Sequence, residues 1–438
     1  MTGAALWPAL SQAAREAVAI STDRTDTSKV ALVHDFLLDV RGAERVFLEL
    51  CEMWPEAEIF TAVYDEPGTE GRFSHRKIHS SFLQRLRPSV RTFRSLLPLY
   101  PAAIESFDLS GFDLVVSSSS AWAHAALAPE RAAHVSYCHN PFRYAWSERD
   151  ATLAARDPVS RLVLASVLRR WRSWDWLAAQ RPTRYVANSA ITRARIRTYF
   201  GRESEIVHPP VDVGRFSPGV VGEHYAIVSE LMSHKQIEVA IAAFNRLRRP
   251  LVIIGDGPAA RRLQRLAGPT VTLLGRVSDP AVEQTVRSAR ALIVTAVEEF
   301  GIAAVEAQAA GRPVIARAAG GVLETVIEGK TGCFWSGGPD QLAAAVLAFD
   351  DRAVDPVACV AAAERFSRER FREAIRDQVL AAELERDARW QAPPPPDYRD
   401  APRTPGPSDG RAGRPLRERQ AMLTSTGLVR PAVRGRRR

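Results

Sequence analysis

The sequence of 438 residues has few cysteines and no long apolar run. Its four cysteines, Cys51, Cys138, Cys333 and Cys359, lie far apart and form no C-x-x-C pair. This spacing excludes a finger-type zinc site and a disulfide scaffold, and it indicates a reducing cytosol. No window approaches the roughly 18 to 20 unbroken apolar residues of a membrane-spanning helix. Residues 1–28 lack the apolar core of a secretory signal.

Several motifs that mark common enzyme classes are also missing. The sequence contains no G-x-G-x-x-G, no G-x-x-x-x-G-K-[ST] and no H-E-x-x-H, and its G-x-S-x-G match, G-P-S-D-G (406–410), lies in a Pro-rich stretch rather than between a predicted strand and helix. Dinucleotide oxidoreductases, nucleotide hydrolases, zinc proteases and serine hydrolases therefore lose their usual sequence support. No D-x-D pair stands at a predicted strand end, so we predict no catalytic metal and no bound cofactor.

The positive charge is concentrated at one end of the chain. The net charge is +9, and residues 391–438, with 11 arginines and four acids, contribute +7 of it. This Pro/Arg-rich tail cannot bury a core and is expected to be disordered. Only four of the 59 basic residues are lysines, which favours a G+C-rich bacterial genome over selection for nucleic-acid contacts. We therefore expect no nucleic-acid partner; such a role would depend on the tail alone.

Short apolar runs alternate with helix-length segments along most of the chain. The strand candidates are Lys29–Val33, Asp113–Ser117, His134–Cys138, Arg184–Ala187, Tyr225–Ser229, Leu251–Gly255, Val271–Gly275, Ala291–Thr295 and Pro313–Ala316. This alternation is typical of βαβ units with buried parallel strands, and so many strands suit two doubly wound α/β domains.

The predicted division of the chain has six parts. They are a loosely ordered N-terminus (1–28), an N-terminal doubly wound domain (29–200), a Pro/Gly-rich crossover (201–222), a C-terminal doubly wound domain (223–366), a final helix (367–390) and the tail (391–438).

The stretch 298–316 gives the clearest indication of a ligand site. Gly301 would begin an alanine-rich helix and Gly311 would end it. The free N–H groups at such a helix start suit a phosphate. Glu298 and Glu306 would repel that phosphate unless they bound hydroxyl groups, so the pattern suits a sugar nucleotide. A glutamate pair alone is more often a loop charge and a solvated helix residue.

The residues around this stretch resemble the retaining glycosyltransferases of family 4. Glu298 and Glu306 match the Glu-x7-Glu signature of that family. Further similar motifs are L-V-I-I-G-D-G-P (251–258), L-L-G-R-V-S-D (273–279), G-R-P-V-I-A (311–316), G-G-V-L-E-T-V-I-E-G-K-T-G (320–332), V-A-N-S (186–189), V-H-P-P-V-D-V-G-R-F (207–216) and H-D-F-L-L-D-V-R-G-A-E-R-V (34–46). The motif Y-C-H-N-P-F-R-Y-A-W (137–146) is similar to a subgroup that adds sugars, often mannose, to lipid-linked O-antigen or exopolysaccharide intermediates.

The resemblance implies a GT-B fold, in which two Rossmann-like domains, the first on the acceptor side and the second binding the nucleotide sugar, face a cleft and the C-terminal helix returns to the first domain. It also implies roles for residues of the second domain. Lys235 would contact the donor diphosphate, because an ammonium group can neutralise the leaving group as its charge develops. Glu298 would hold the transferred sugar and Glu306 the ribose, while the N–H groups of Gly301 and Ile302 would face the donor.

Two residues of the first domain take roles from the same resemblance. Gly42 would permit close approach of the backbone near donor and acceptor. His139 would lie at a strand end beside the sugar, although a lone histidine without the surrounding motif is usually structural.

The sequence departs from the family pattern at two positions. Glu230 stands where many members carry an arginine five positions before the phosphate-binding lysine, and a carboxylate there cannot bind a diphosphate. Arg41 occupies a position that is usually glycine. Charge neutralisation would then depend on Lys235, with Arg41 and Arg143 as candidate phosphate contacts.

A basic segment, 72–94, carries seven Lys/Arg and no acid, interleaved with apolar residues. Phe82, Leu86 and Phe93 keep roughly helical spacing, so the segment could be an amphipathic surface on anionic lipid. A half-buried helix with solvated arginines is the alternative. Because the family that the sequence resembles often uses polyprenyl-linked acceptors, we favour contact of this segment with a lipid surface. The helix around 161–176 could contribute to the same contact.

We therefore expect a retaining, metal-independent hexosyltransferase in cell-surface polysaccharide biosynthesis, acting at the inner face of a bacterial plasma membrane. GDP-mannose is the donor that the resemblance favours, and the acceptor would be a lipid-linked glycan. A soluble acceptor, a nucleotide-sugar epimerase and an inactive binding or scaffold protein of the same fold remain alternatives.

Overall fold

The computed structural model describes residues 28–89 and 92–391, and these residues contain two parallel β-sheets. The first has the order β3-β2-β1-β4-β5-β6-β7 and the second β10-β9-β8-β11-β12-β13. The strands are Val30–His34 (β1), Glu58–Thr61 (β2), Ile78–Ser80 (β3), Leu114–Ser119 (β4), Ala133–Cys138 (β5), Arg184–Ala187 (β6), Ser204–Ile206 (β7), Tyr225–Val228 (β8), Leu251–Ile254 (β9), Val271–Gly275 (β10), Leu292–Val294 (β11), Val314–Arg317 (β12) and Gly332–Trp335 (β13).

Helices connect the strands of both sheets. They are Gly42–Met53 (α1), Tyr100–Glu105 (α2), Arg149–Ala154 (α3), Pro158–Ala178 (α4), Ala190–Phe200 (α5), Ile237–Leu247 (α6), Ala260–Leu266 (α7), Asp279–Arg287 (α8), Ile302–Ala309 (α9), Val322–Thr325 (α10), Pro339–Ala348 (α11), Pro356–Ala363 (α12) and Arg368–Gln391 (α13). The N-terminus and the tail whose disorder was predicted lie outside the described residues, apart from residues 28 and 391.

The nine predicted strands are confirmed, with ends that shift by no more than two residues. All of them except the edge strand β10 are mostly buried on both faces, as in β11, where all three residues are buried, and this burial explains the largely apolar runs. Four strands, β2, β3, β7 and β13, were not predicted. They have only three or four residues each, and β3 and β7 are partly exposed edge strands with polar residues.

The first sheet continues beyond the predicted domain boundary at residue 200. Strand β7 pairs with β6, so residues 204–206 belong to the first domain rather than to the crossover. The chain then passes Val211, whose N–H donates to the carbonyl of Phe366 at 2.9 Å, before it enters the second sheet at Tyr225.

Helix α13 returns to the first domain, as the resemblance implied. Phe371 and Ile375 pack into the core around Tyr137, and the Tyr137 and Phe371 rings meet edge to face at 5.6 Å. The buried carboxylate of Glu49 accepts hydrogen bonds from Arg368 and also from Arg372. Full burial of such apolar side chains is worth about 1.5–3 kcal/mol each, so the helix is an integral part of this domain.

The loop after β4 is organised by one buried carboxylate. Asp35, directly after β1, accepts backbone N–H groups from residues 120 and 121 on Oδ2, at 2.6 and 3.0 Å. Its Oδ1 accepts those of residues 122 and 123, at 2.7 and 2.6 Å. A single side chain thereby satisfies four consecutive donors, which fixes the end of β4 against the end of β1.

A buried histidine in β5 predicts acid sensitivity. Burial, together with nearby His124 and Arg202, lowers the pKa of His134 from 6.5 to about 3. The unfolded chain therefore binds a proton between these pH values that the folded chain does not. Because of this difference, the free energy of unfolding should fall as the pH drops from about 6.5 towards 3, by roughly 1 kcal/mol per pH unit.

Urea unfolding of the wild type and of His134→Asn at several pH values measures this effect. We expect a shallower pH dependence in His134→Asn and an unchanged one in His75→Asn, which alters an exposed histidine of the same domain. Equal slopes in all three proteins would contradict the prediction.

Candidate active site

A cavity of about 470 Å³ lies between the two domains. It is bounded by the carboxyl ends of β8 and β11 and by the starts of α1 and α9, where ligands of doubly wound sheets bind. Of the residues predicted from the sequence, it is lined by Arg41, Gly42, His139, Arg143, Lys235, Glu298, Gly301 and Ile302, and also by Glu230. The structure thus brings together all the predicted site residues except Glu306.

Lys235 and Glu298 form an ion pair on the cavity wall. The ammonium nitrogen of Lys235 lies 2.6 Å from Oε2 of Glu298, and each side chain is about one-fifth exposed. Thr295 Oγ1 donates to the carbonyl of Lys235 at 2.7 Å, which holds the lysine loop against the end of β11. A cation and a carboxylate, partly shielded from water, are therefore available together to a ligand that carries both phosphate and hydroxyl groups.

The start of α9 faces the same space. Gly301 has a φ of +94°, which an L side chain rarely adopts, and it lets the chain turn into the helix at Ile302. Nearby, a Cβ at Gly320 would lie 2.3 Å from the carbonyl oxygen of Glu298, so glycine is required there for the backbones to approach. These two glycines place Glu298 beside free helix N–H groups that can bind an anion.

Gly42 lines the cavity at the start of α1, and its close approach to the donor and acceptor stays a prediction. A Cβ at this position would lie 3.6 Å from Cδ1 of Ile302, which is ordinary van der Waals contact. The start of α1 meets the start of α9 through this contact, but the described residues alone do not demand glycine here.

Glu306 lies away from the cavity wall. It is buried within α9, and its Oε1 lies 3.4 Å from Arg45 and 3.3 Å from Arg215. Burial raises the pKa of Glu306, while the two guanidinium groups oppose the rise. Ribose binding by Glu306 stays a prediction, and it would require the carboxylate to exchange at least one arginine for a hydroxyl group.

The two departures from the family pattern contact each other. Arg41, from the first domain, donates to Glu230, from the second, and Arg41 Nε also lies 3.2 Å from Asp39. Arg41 therefore places a guanidinium group on the cavity wall beside the carboxylate that was predicted to repel a diphosphate. The pair could not be foreseen, because 189 residues separate its members.

Glu299 is a site residue that the sequence interpretation missed. Its Oε1 accepts hydrogen bonds from Arg195 Nη1 and Asn140 Nδ2, each at 3.3 Å, and lies 3.5 Å from Arg143 Nη2. All three residues belong to the first domain. Burial alone would raise the pKa of Glu299, but Arg143, Lys235 and Arg195 together hold it below its ordinary value. The second glutamate of the E-E-F-G sequence was the signal that could have identified it.

His234 is a second missed residue, and it lines the cavity beside Lys235. Its Nε2 lies 3.4 Å from Nη1 of Arg143. Burial and the neighbouring cations Arg143 and Lys235 lower the pKa of His234, so the ring is expected to be neutral near pH 7.

His139 is held at both its backbone and its ring. Its N–H donates to Ser119 O at 2.8 Å, and its carbonyl accepts from Asn188 Nδ2 at 3.0 Å. Its Nε2 lies 2.8 Å from Ser118 Oγ. Burial and the neighbouring His34 lower the pKa of His139 to about 3, so it meets a ligand as a neutral hydrogen-bonding group.

The basic segment is not the single helix that its spacing indicated. Residues 78–80 form β3 and residues 82–86 form a 3-10 helix, because Leu83 turns into the core while Phe82 and Leu86 remain 45% and 59% exposed. Phe82, Arg85, Leu86 and Arg87 form an exposed patch, called here the basic loop patch. Helix α4 adds the exposed apolar residues Val159, Leu162 and Val163 elsewhere on this domain.

Two further properties concern the whole described part of the chain. Within residues 28–89 and 92–391, no helix is both long and apolar enough to cross a membrane. The same residues contain no cluster of three or more His, Cys, Asp or Glu side chains suited to a metal ion.

Family models match both domains. Residues 40–215 match the model described as Glycosyltransferase Family 4, and residues 223–350 match Glycosyl transferases group 1. A GDP-mannose-dependent alpha-(1-6)-phosphatidylinositol monomannoside mannosyltransferase of Mycolicibacterium smegmatis is 30% identical, over 48% of this chain and 67% of that protein. A D-inositol 3-phosphate glycosyltransferase of Pseudarthrobacter chlorophenolicus is 28% identical, over 35% of this chain and 44% of that protein.

Solved structures share the architecture at low sequence identity. Anabaena HepE, solved in complex with UDP, has a TM-score of 0.58 at 16% identity, covering 81% of this chain and 100% of that one. Sucrose-phosphate synthase of Thermosynechococcus elongatus has a TM-score of 0.57 at 18% identity, covering 83% of this chain and 98% of that one. These likenesses confirm the GT-B fold. The two family models and the mannosyltransferase relative establish that this chain is a glycosyltransferase of family 4.

Proposed function

We propose that the enzyme is a retaining hexosyltransferase that transfers mannose from GDP-mannose to a lipid-linked glycan. The observation that carries the proposal is the Lys235–Glu298 pair, which lies at the start of α9 in the same cavity as His139. The donor and the class of acceptor are supported by the similarity to a GDP-mannose-dependent mannosyltransferase of a phosphatidylinositol mannoside. A nucleotide-sugar donor is further supported by the UDP-glucose complex of the structural neighbour.

The residues of the cavity suit a transfer in which the acceptor attacks the face that the nucleotide leaves. The acceptor oxygen would bond to the anomeric carbon as the bond from that carbon to the phosphate oxygen breaks. The leaving phosphate would take the acceptor proton. Lys235 and the N–H groups of Gly301 and Ile302 would stabilise the developing diphosphate charge, and Glu298 would hold the hexose hydroxyls. This route needs neither a protein nucleophile nor a metal ion.

Arg41 and Arg143 would add positive charge from the first domain. In the structure, Arg41 is paired with Glu230 and Arg143 with Glu299. A bound diphosphate would compete with these carboxylates for the guanidinium groups, and Arg is well suited to bidentate phosphate contacts.

Replacing Arg41 by alanine should weaken donor binding about 10-fold to 100-fold, the loss expected when a charged hydrogen bond worth roughly 1.5–3 kcal/mol is removed. Arg276→Ala is the matched control, because Arg276 also bridges the domains, to Asp39 and Glu70, but does not line the cavity. Calorimetric titration with GDP-mannose measures both variants. Equal losses would show that domain bridging, rather than phosphate contact, explains the effect of Arg41.

The basic loop patch supports the membrane part of the proposal. Exposed Phe82 and Leu86 alternate with Arg85 and Arg87, and basic side chains near an anionic surface contribute about 1 kcal/mol each. We therefore propose a peripheral position on the inner face of the plasma membrane. Flotation with vesicles containing anionic lipid should carry the wild type more efficiently than Phe82→Ser/Leu86→Ser, and neutral vesicles should carry neither well.

The transfer itself is tested in two steps. Calorimetry with GDP, UDP, ADP, dTDP and their sugar conjugates should identify one preferred nucleotide. Labelled GDP-mannose incubated with bacterial membranes and chelator should then place mannose in the lipid extract with its anomeric configuration retained. Binding without transfer to lipid or soluble acceptors would favour the scaffold protein, and an inverted product or a requirement for metal would overturn the proposed mechanism.

A further inference from the structure

Three consecutive serines at the end of β4 each contact a buried histidine. Ser117 Oγ lies 2.9 Å from His134 Nε2, and Ser119 Oγ lies 3.2 Å from His124 Nδ1. Ser118 differs from its neighbours because it contacts two rings: His34 Nδ1 at 3.1 Å and His139 Nε2 at 2.8 Å. Of these four histidines, only His139 lines the cavity.

The chain of contacts continues from His34 to the start of α1. Nε2 of His34 lies 3.6 Å from Oε1 of Glu44, while Oε2 of Glu44 accepts the N–H of Arg41 at 3.0 Å. His34 is 1% exposed, Glu44 is 6% exposed and Ser118 is fully buried. The ring of His34 also stacks on Phe47, with a centroid separation of 4.6 Å. Burial and packing therefore fix the positions of these groups.

We infer that the charge of the Glu44 carboxylate, 3.6 Å from His34, polarises a hydrogen-bond relay of His34 and Ser118 that fixes the tautomer of His139. The inference rests on the proposed position of His139 beside the transferred sugar. The three are positioning residues, since they act on the reaction through His139.

The direction of the relay follows from proton counting. The Glu44 carboxylate favours a proton on Nε2 of His34, so Nδ1 of His34 becomes an acceptor. The Ser118 hydroxyl has one proton and must donate it to His34. Its oxygen can then only accept, and it accepts from Nε2–H of His139.

His139 is thereby left with a lone pair on Nδ1. This nitrogen makes no hydrogen bond to any residue of the described chain, and its ring lies on the cavity wall. A lone pair accepts a hydrogen bond from a sugar hydroxyl, whereas the opposite tautomer would present an N–H to the same position. The relay thus makes Nδ1 of His139 a hydrogen-bond acceptor, so a sugar hydroxyl that binds there must donate its proton.

One substitution reverses the relay without removing a heavy atom. In Glu44→Gln, the amide oxygen must still accept the Arg41 N–H, so the amide nitrogen faces His34. Nε2 of His34 then becomes the acceptor, Nδ1–H donates to Ser118, and Ser118 donates to His139. The proton of His139 moves to Nδ1.

The test uses the full chain labelled with nitrogen-15 histidine, in which two-bond proton–nitrogen correlation spectra distinguish the two neutral tautomers. The signals of His139, one of nine histidines, are assigned by their loss in His139→Gln. We expect the Nε2–H form in the wild type and the Nδ1–H form in Glu44→Gln. An Nδ1–H form in the wild type, or no change in Glu44→Gln, would overturn the relay.

Kinetics provide a second measurement with a matched control. Ser118→Ala should lower kcat/KM for transfer about 10-fold to 100-fold, as a misplaced group near the reacting centre does. Ser117→Ala removes the neighbouring serine–histidine contact, which does not reach the cavity, and should change kcat/KM less than twofold. Equal losses in both variants would overturn the positioning role. If the spectra show the expected tautomers but the protein transfers no hexose, the relay is supported and the proposed function is overturned.

Discussion

Replacing Lys235 with methionine is expected to lower kcat/KM for hexose transfer about 100-fold to 1,000-fold, the usual effect of removing one group that stabilises developing charge. The ammonium group lies 2.6 Å from Glu298 at the start of α9, where the leaving diphosphate would gain charge. Its removal leaves no lysine on the cavity wall, since the lining residues include only this one.

The control for this measurement is Lys330→Met, which alters an exposed lysine of the second domain. It should keep activity within twofold of the wild type. The loss in Lys235→Met should fall mainly on kcat, because the interaction strengthens as the bond to the phosphate breaks. A variant that retained more than a tenth of the activity would exclude Lys235 as the principal stabiliser of the leaving group.

The second large effect is expected on stability. Asp35→Ala removes the acceptor of four buried backbone N–H groups in residues 120–123. A buried donor left without an acceptor costs about 1–3 kcal/mol, and four neighbouring N–H groups would lose the same acceptor together. The urea midpoint of the first domain, followed through the fluorescence of buried Trp122, should therefore fall sharply.

Asp108→Ala separates this effect from the general cost of losing an aspartate. Asp108 also accepts a backbone N–H, from Ser110 at 3.0 Å, but on an exposed turn where water can replace it. Its substitution should shift the midpoint much less. Comparable shifts in the two variants would contradict the special role of Asp35.

Local patterns were sufficient to predict the interior of the fold. Strands such as β9 and β11 are continuous apolar runs because both of their faces are covered, and this burial is visible in the sequence. Edge strands such as β3 have few residues and half-exposed polar side chains, so their pairing depends on a neighbour that the local pattern does not reveal.

The site residues that follow one another within a single motif were predicted well. Contacts between residues that are distant in the sequence were predicted less well. Glu298, Gly301 and Ile302 follow one another at the start of α9 and line the cavity together. Glu306 lies on the same helix, but Arg45 and Arg215 hold it away from the wall, and neither contact is visible as a local pattern. The Arg41–Glu230 pair likewise depends on how the domains meet.

The crossing of the chain between the domains has a mechanical consequence. Within the described residues, the chain leaves the first domain near Val211 and returns to it near Ser367, and these two passages lie side by side as a parallel bridge. Two bodies whose chain connections lie at one place can rotate about that place, although ion pairs that also join them, such as Arg41–Glu230, would have to break first. In such a rotation, a residue moves farther the farther it lies from Val211, so a small change of angle there moves remote residues by a larger distance. The domains would open and close as one rotation, with both sheets unchanged.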